Sequence, residues 1–340
     1  VKNSPFEDLF EGKSLRMRHL ITGANGFLGA WLARRLIVRG DEVRCLVRQG
    51  SDVSALENVA CERATGDVTQ RASLGPALKN IEVVFHLAGI RRAATRDDFM
   101  KVNAEGTRLV AEEMVKAGTR RLVLCSSLAA VGPSVGGRPR VESDALAPEE
   151  WYGESKAEAE RIAFSFAGKL EVTNCRPSRI VGPGDHENLT FFKLVKKGVV
   201  LKLGGPERLL SMVAVEDVVS LLLLLADKPE AVGESFFASS NEKVSLDGLM
   251  RMIAEVLQVK TRTIPVPQAV LKLLAAGADV VSQVTGKKLA LNRKLARQLL
   301  APGWTCSIEK AHRLLGYAPE VTLREAAQRS ADGYRAAGWL

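Results

Sequence analysis

Tyr152 and Lys156 stand four residues apart in the segment Tyr152-Gly-Glu-Ser-Lys156. On a helix this spacing places both side chains on one face, and an ammonium held beside a phenol favours the phenolate. An unperturbed tyrosine titrates at about 10, whereas a general acid or base works best near the operating pH, so a fixed cation beside Tyr152 would have a chemical use. Such pairs also occur on ordinary surface helices. The reading therefore depends on the elements around the pair, beginning with the Ser126-Ser127 hydroxyls upstream.

The first such element is a glycine-rich run, Thr22-Gly23-Ala24-Asn25-Gly26-Phe27-Leu28-Gly29. Arg18 to Thr22 reads as a short buried strand, and Ala30 to Arg39 as a helix closed by Gly40, so Gly23, Gly26 and Gly29 fall at a strand-to-helix turn. Glycines there let the backbone turn tightly and approach a pyrophosphate, while the helix N-terminus offers unpaired N–H groups and positive dipole. Glu42 to Val47 reads as the second strand, ending where an adenosine ribose would lie. An acidic residue there would accept from a ribose 2′-hydroxyl, whereas an arginine pairs with a 2′-phosphate. The chain has Val47 and then Arg48, which favours NADP over NAD, with NAD as the second choice. A third strand precedes Gly66-Asp67-Val68, whose carboxylate is a candidate acceptor for the adenine amino group. A fourth, Ile81 to Leu87, runs into the small residues Ala88-Gly89, which would let a cofactor lie against the strand end. His86 reads as a packed strand histidine.

These motifs together resemble the extended branch of the short-chain dehydrogenase/reductase superfamily, the NAD-dependent epimerase/dehydratase family, over nearly the whole chain from Arg18. The glycine run with Asn25, Phe27 and Leu28 is similar to its cofactor loop. Gly66-Asp67-Val68 and His86-Leu87-Ala88-Gly89 match its adenine and fourth-strand motifs, and Val102-Asn103 to Thr107 its fourth-helix segment. Leu124 to Ser127 resembles the fifth-strand end, and Arg176-Pro177 to Gly184 the sixth-strand exit. The resemblance implies a Ser127, Tyr152 and Lys156 triad, and a cofactor site that includes Asp67, Val68, Leu87, Asn103 and Pro177 beside the glycine loop. It implies an α/β fold with a doubly wound parallel Rossmann sheet and a smaller C-terminal α/β substrate domain. The expected division is an extension at 1–16, a cofactor domain of 17–181 with 211–240, and a substrate domain of 182–210 with 241–335. A homodimer is compatible with it.

At 340 residues and 46% hydrophobic content the chain can bury a large core. Five scattered cysteines without metal-ligand spacing suggest reduced thiols and a cytoplasmic setting. Neither Val213 to Ala226 nor Ile264 to Val284 reads as a bilayer span. A formal charge of +9 raises the question of nucleic acid, but the basic residues are dispersed and not gathered into an aromatic-interleaved stripe. Arg91-Arg92, Arg138 with Arg140, and Lys196-Lys197 are candidates to flank a pocket mouth.

The expected partner is a small molecule. Sugar dehydratases of the family place an Asp-Glu pair after the catalytic serine or threonine; here Leu128 and Ala129 follow. Epimerases commonly grip a diphosphate with an arginine at the position of Leu210, with Arg208 the nearest substitute, and Pro177 replaces a frequent asparagine. These departures, with Val47-Arg48 and Arg176-Pro177, are similar to dihydroflavonol reductases and 3β-hydroxysteroid dehydrogenases. The reading is a carbonyl reductase or alcohol dehydrogenase for a hydrophobic or aromatic molecule. Two alternatives stay open: a nucleotide-sugar epimerase or reductase, and a cofactor-sensing protein without catalysis. Phe191, Phe192, Leu194 and Val199 to Leu203 either line the substrate pocket or belong to the core, with His186 and Asn188 as polar candidates.

Overall fold

The computed structural model describes residues 17–285 and 293–340; the expected extension at 1–16 lies outside the described residues. Short runs of β-branched and apolar residues between glycine-rich turns form the central sheet. Its strands are β1 (Arg18–Thr22), β2 (Glu42–Val47), β3 (Glu62–Thr65), β4 (Val83–His86), β5 (Arg121–Cys125), β6 (Glu171–Pro177) and, later in the chain, β10 (Ser235–Ala238). They lie in the order β3-β2-β1-β4-β5-β6-β10, and every pairing is parallel. Parallel sheets need cover on both faces. One face packs on the helices Phe27–Arg39, Val215–Asp227 and Glu309–Leu315 around Leu32, Leu36, Leu221 and Leu222. The other packs on Gly106–Ala117 and Trp151–Ser165 around Val110, Met114 and Ala163. The fold is a doubly wound Rossmann sheet with a smaller C-terminal unit.

That smaller unit contains β7 (Arg179–Val181), β9 (Leu209–Ala214) and β11 (Lys243–Ser245) in one sheet, and β8 (Val199–Leu203) with β12 (Arg262–Val266) in another. Its core gathers Phe192, Met250, Ile253 and Tyr334 from the helices Leu189–Lys196, Leu246–Leu257 and Leu323–Ala336. The crossing points differ from those expected. Residues 179–181 and 211–214 belong to the small sheet, because β7 pairs with β9 and leaves the large one. Ala311, Leu315 and Tyr317 pack into the core of the large sheet, not into the substrate side. No described helix is long and apolar enough to cross a membrane.

Candidate active site

The strand order reverses between β1 and β4, the place where open α/β sheets bind ligands at the carboxyl ends of their strands. A cleft of about 1100 Å³ opens there and runs on to the small unit. Gly23 forms its first turn at φ +71°, and a Cβ at Gly23 would stand 2.8 Å from the Ala88 nitrogen, so both conformation and space demand glycine. The helix begins at Phe27 rather than Ala30, with Gly26 as an N-cap that has no side-chain hydrogen bond. Phe27, Leu28 and Gly29 are thus its first turn, and all three line the cleft. First-turn N–H groups have no intrahelical acceptor and carry the positive end of the dipole, which suits a pyrophosphate. The Asn25 side chain donates to the Asp52 carbonyl at 2.8 Å and ties this loop to the chain beyond β2.

Several of the remaining cofactor candidates line the cleft around this turn. Arg48 is exposed at the end of β2 and lines the cleft. Asp67 lines the cleft, and its Oδ1 accepts from the Thr69 N–H and hydroxyl, each at 2.8 Å. Val68, Leu87, Ala88, Gly89 and Pro177 line the walls. A Cβ at Gly89 would lie 3.3 Å from Lys156 Nζ, so glycine here lets the wall approach the ammonium. The residues fit a dinucleotide.

Ser127, Tyr152 and Lys156 line the same cleft. Lys156, 6% exposed, donates to the Cys125 carbonyl at 2.7 Å. Ser127 Oγ accepts from the Ala129 N–H at 3.1 Å, so its own hydroxyl proton is free to be donated to a ligand. A side chain at Gly153 would run into the Ala129 carbonyl and stand 3.0 Å from Pro148 Cβ; this close approach brings the start of the Tyr152 helix onto the Ser127 turn. Tyr152 meets Phe99 edge-on with centroids 6.4 Å apart, and the Arg91 guanidinium lies 5.7 Å from its ring centroid. Ser126 also reaches the cleft, where its buried Oγ has no hydrogen-bond partner among the described residues.

Asn103 lies behind the wall, not in it. Its Oδ1 accepts from the Ile90 N–H at 2.8 Å, while Nδ2 donates to the Ile90 carbonyl at 3.0 Å and to Ser155 Oγ at 2.9 Å. Ser155 in turn donates to the Tyr152 carbonyl at 2.8 Å. Asn103, in the π-helical turn Met100–Glu105, therefore joins the loop after β4 to the helix Trp151–Ser165. A second buried chain runs alongside. Thr107 donates to the Asn103 carbonyl at 2.7 Å and so must accept from His86 Nε2, 3.0 Å away. The neutral Nε2–H imidazole then accepts at Nδ1 from Thr22, 2.8 Å away, and Thr22 accepts from the Ala88 N–H at 3.1 Å. Burial, aided by the Lys156 charge, lowers the His86 pKa to about 3, in keeping with that neutral form.

The basic pairs divide. Arg91 lines the cleft, and Lys196 and Lys197 are not among its lining residues. Arg92 pairs with Glu187 at 2.9 Å and Arg138 with Asp144 at 2.6 Å, and buried Arg140 donates to the Pro133 carbonyl at 2.7 Å. On the substrate side Phe191, Leu203 and His186 reach the cleft, whereas Phe192 packs edge-on against Tyr334 at 5.0 Å. Asn188 is buried and accepts from Arg179 Nε at 2.5 Å. Arg179, which the sequence reading did not single out, lines the cleft with its guanidinium 5.1 Å from the Phe191 ring; burial lowers its pKa. Leu128, Leu210, Leu246, Leu299 and Trp304 add apolar wall.

Residues 19–237 match the NAD dependent epimerase/dehydratase family. The chain belongs to that family. Among curated proteins it is 32% identical over 320 residues to a ceramide reductase of Caulobacter vibrioides, covering 94% of this chain and 95% of that one. It is 30% identical over 334 residues to a UDP-glucose 4-epimerase of Vibrio cholerae, covering 93% and 94%. Among solved structures, gox2253 superposes with a TM-score of 0.81 at 28% identity, covering 95% of this chain and 99% of that one. The family's members are NAD-dependent enzymes, and this chain is one of them.

Proposed function

We propose that this family member is a carbonyl reductase or alcohol dehydrogenase that uses NADPH in preference to NADH and acts on a hydrophobic or aromatic small molecule. The observation that carries the reading is the state of Arg208, the nearest cation to the position where epimerases grip a sugar diphosphate. Its Nη1 donates to the Gly204 and Pro206 carbonyls at 3.2 and 3.0 Å, and Nε to the Leu300 carbonyl at 3.3 Å. It braces its own loop while lining the cleft, where Leu203, Leu210, Leu299 and Trp304 make the neighbouring wall apolar. A diphosphate without a paired cation loses hydration at a cost of several kcal/mol, roughly, whereas an apolar substrate gains from burial.

When bound, a nicotinamide supplies or accepts the hydride. The protein's own groups handle the oxygen. In reduction, Tyr152 gives its hydroxyl proton to the substrate carbonyl oxygen, and Ser127 Oγ–H donates to the same oxygen as charge develops there. Lys156, oriented by the Cys125 carbonyl, keeps its other two N–H bonds for the nicotinamide ribose and the field at Tyr152. Oxidation reverses these steps. The absence of an acid pair at Leu128 and Ala129 argues against sugar dehydration, and the free thiols suit a cytoplasmic enzyme.

Nucleotide-sugar epimerisation is the second reading, favoured by Arg91 and Arg179 on the cleft walls and by the Vibrio cholerae relative. Calorimetry with UDP, GDP and TDP on NADPH-saturated protein, run beside a turnover screen of apolar carbonyls and nucleotide sugars, separates the two. The reductase reading expects carbonyl turnover and no nucleotide binding outside the dinucleotide site. Micromolar nucleotide binding there, abolished by Arg208→Ala or Arg179→Ala, would promote the epimerase.

A further inference from the structure

Arg91 and Arg179 both line the cleft, and among the described residues neither forms an ion pair. Arg179 commits only part of its donor set. Its Nε donates to Asn188 Oδ1 at 2.5 Å and Nη2 to the Glu187 carbonyl at 3.4 Å, while Nη1 donates to no described group. The Arg91 guanidinium rests 5.7 Å from the Tyr152 ring centroid and makes no hydrogen bond to a described residue. The two guanidiniums are near enough for their like charges to repel, and burial adds to the cost of the charge on Arg179.

The acidic groups near Arg179 are engaged elsewhere. Asp185 Oδ1 accepts from the Glu187 N–H at 2.7 Å, and Oδ2 from the Asn188 N–H and side-chain amide. Glu187 pairs with Arg92 at 2.9 Å. Arg91, Arg92 and Arg179 against Asp185 and Glu187 leave a single positive charge, three less two. One net charge with unspent N–H donors on planar forks suits one carboxylate, whereas a diphosphate would bring two charges to it. The wall beyond, with Leu203, Leu210, Leu299 and Trp304, is apolar.

We propose that the substrate carries a carboxylate besides its carbonyl, and that Arg179, with Arg91, reads this group while the apolar remainder lies along the Leu210 and Trp304 wall. The proposal rests on the reductase reading and names the polar end of its substrate. Because the Arg91 guanidinium stands against the Tyr152 ring, an anion held there lies beside the group that gives the proton.

Calorimetry of laurate and of lauryl alcohol on NADPH-saturated protein tests the carboxylate by itself, without turnover. The parent is expected to bind laurate about 10- to 100-fold more tightly than the alcohol, the range of charge-assisted hydrogen bonds. Arg179→Gln and Arg91→Gln should each cut that preference by about tenfold, with affinity for lauryl alcohol and for NADPH as in the parent, which also verifies folding. No binding of laurate, or equal parent affinity for the two ligands, overturns the proposal, as does a preference retained in both variants. Weakened NADPH binding in the variants with the laurate preference intact would assign the guanidiniums to the cofactor pyrophosphate and overturn it likewise. The reductase reading fails separately: a laurate preference without turnover of any carbonyl would refute that reading and still support the carboxylate site.

Discussion

Glu160 and Arg176 make the most informative target, because their pair connects β6 to the helix that carries Tyr152 and Lys156. Arg176 Nε donates to Glu160 Oε1 at 3.0 Å and Nη2 to Oε2 at 2.7 Å, and the side chains are 6% and 2% exposed. Removing one partner of a buried pair leaves an uncompensated charge, at a cost of about 3–5 kcal/mol. Glu160→Leu removes the carboxylate and leaves the buried guanidinium only the Glu142 carbonyl, 3.3 Å from Nη1, and the Phe237 ring. At roughly 2–4 °C per kcal/mol, its unfolding midpoint should fall by about 10 °C. Arg176→Met combined with Glu160→Leu replaces both charges by apolar groups of similar volume and should recover to within about 1–2 kcal/mol of the parent. Urea and thermal unfolding of the three proteins without ligand measure both quantities. A Glu160→Leu loss below about 1 kcal/mol, or a double variant no better than the single one, would refute the view that the two charges depend chiefly on each other.

Further outcomes follow from the site. Tyr152→Phe should lower turnover about 100- to 10,000-fold while leaving cofactor affinity unchanged; parent-like turnover would remove Tyr152 from the proton-transfer role. Arg48→Ala should weaken NADPH but not NADH by about 1.5–3 kcal/mol, measured by titrating both cofactors into both proteins, and equal losses would show that Arg48 does not read the phosphate. Burial lowers the pKa of His86 to about 3, below its unfolded value, so the unfolded chain binds the extra proton between about pH 6.5 and 3. That contribution to stability is complete above the unfolded pKa and is lost as pH falls, by up to about 1.4 kcal/mol per pH unit. His86→Gln should therefore show a shallower decline than the parent in urea melts between pH 6.5 and 4.5; parallel declines would mean that His86 is not held neutral.

The parts legible in the sequence are those whose geometry is local. A turn that needs Gly23, a helix closed by Gly40 and two side chains four residues apart are specified within a few residues, because φ/ψ limits and helical periodicity act over that range. So are the short apolar strands and the strand ends where Arg48 and Asp67 stand. What tertiary structure alone decided is which group each long side chain meets. Glu160 and Arg176 meet because β6 packs beside the helix Trp151–Ser165, Arg208 turns to the carbonyls of its own loop and of Leu300, and Asn103 stands behind the wall it was expected to line. β7 leaves the large sheet for β9, while Ala311 and Leu315 join the large sheet's core. The burial of each polar atom, and hence its need for a partner, exists only once distant segments are packed. For the helix Gln268–Thr285, only the fold showed that Leu271 and Ala275 face inward while Leu273 and Leu274 remain on the surface.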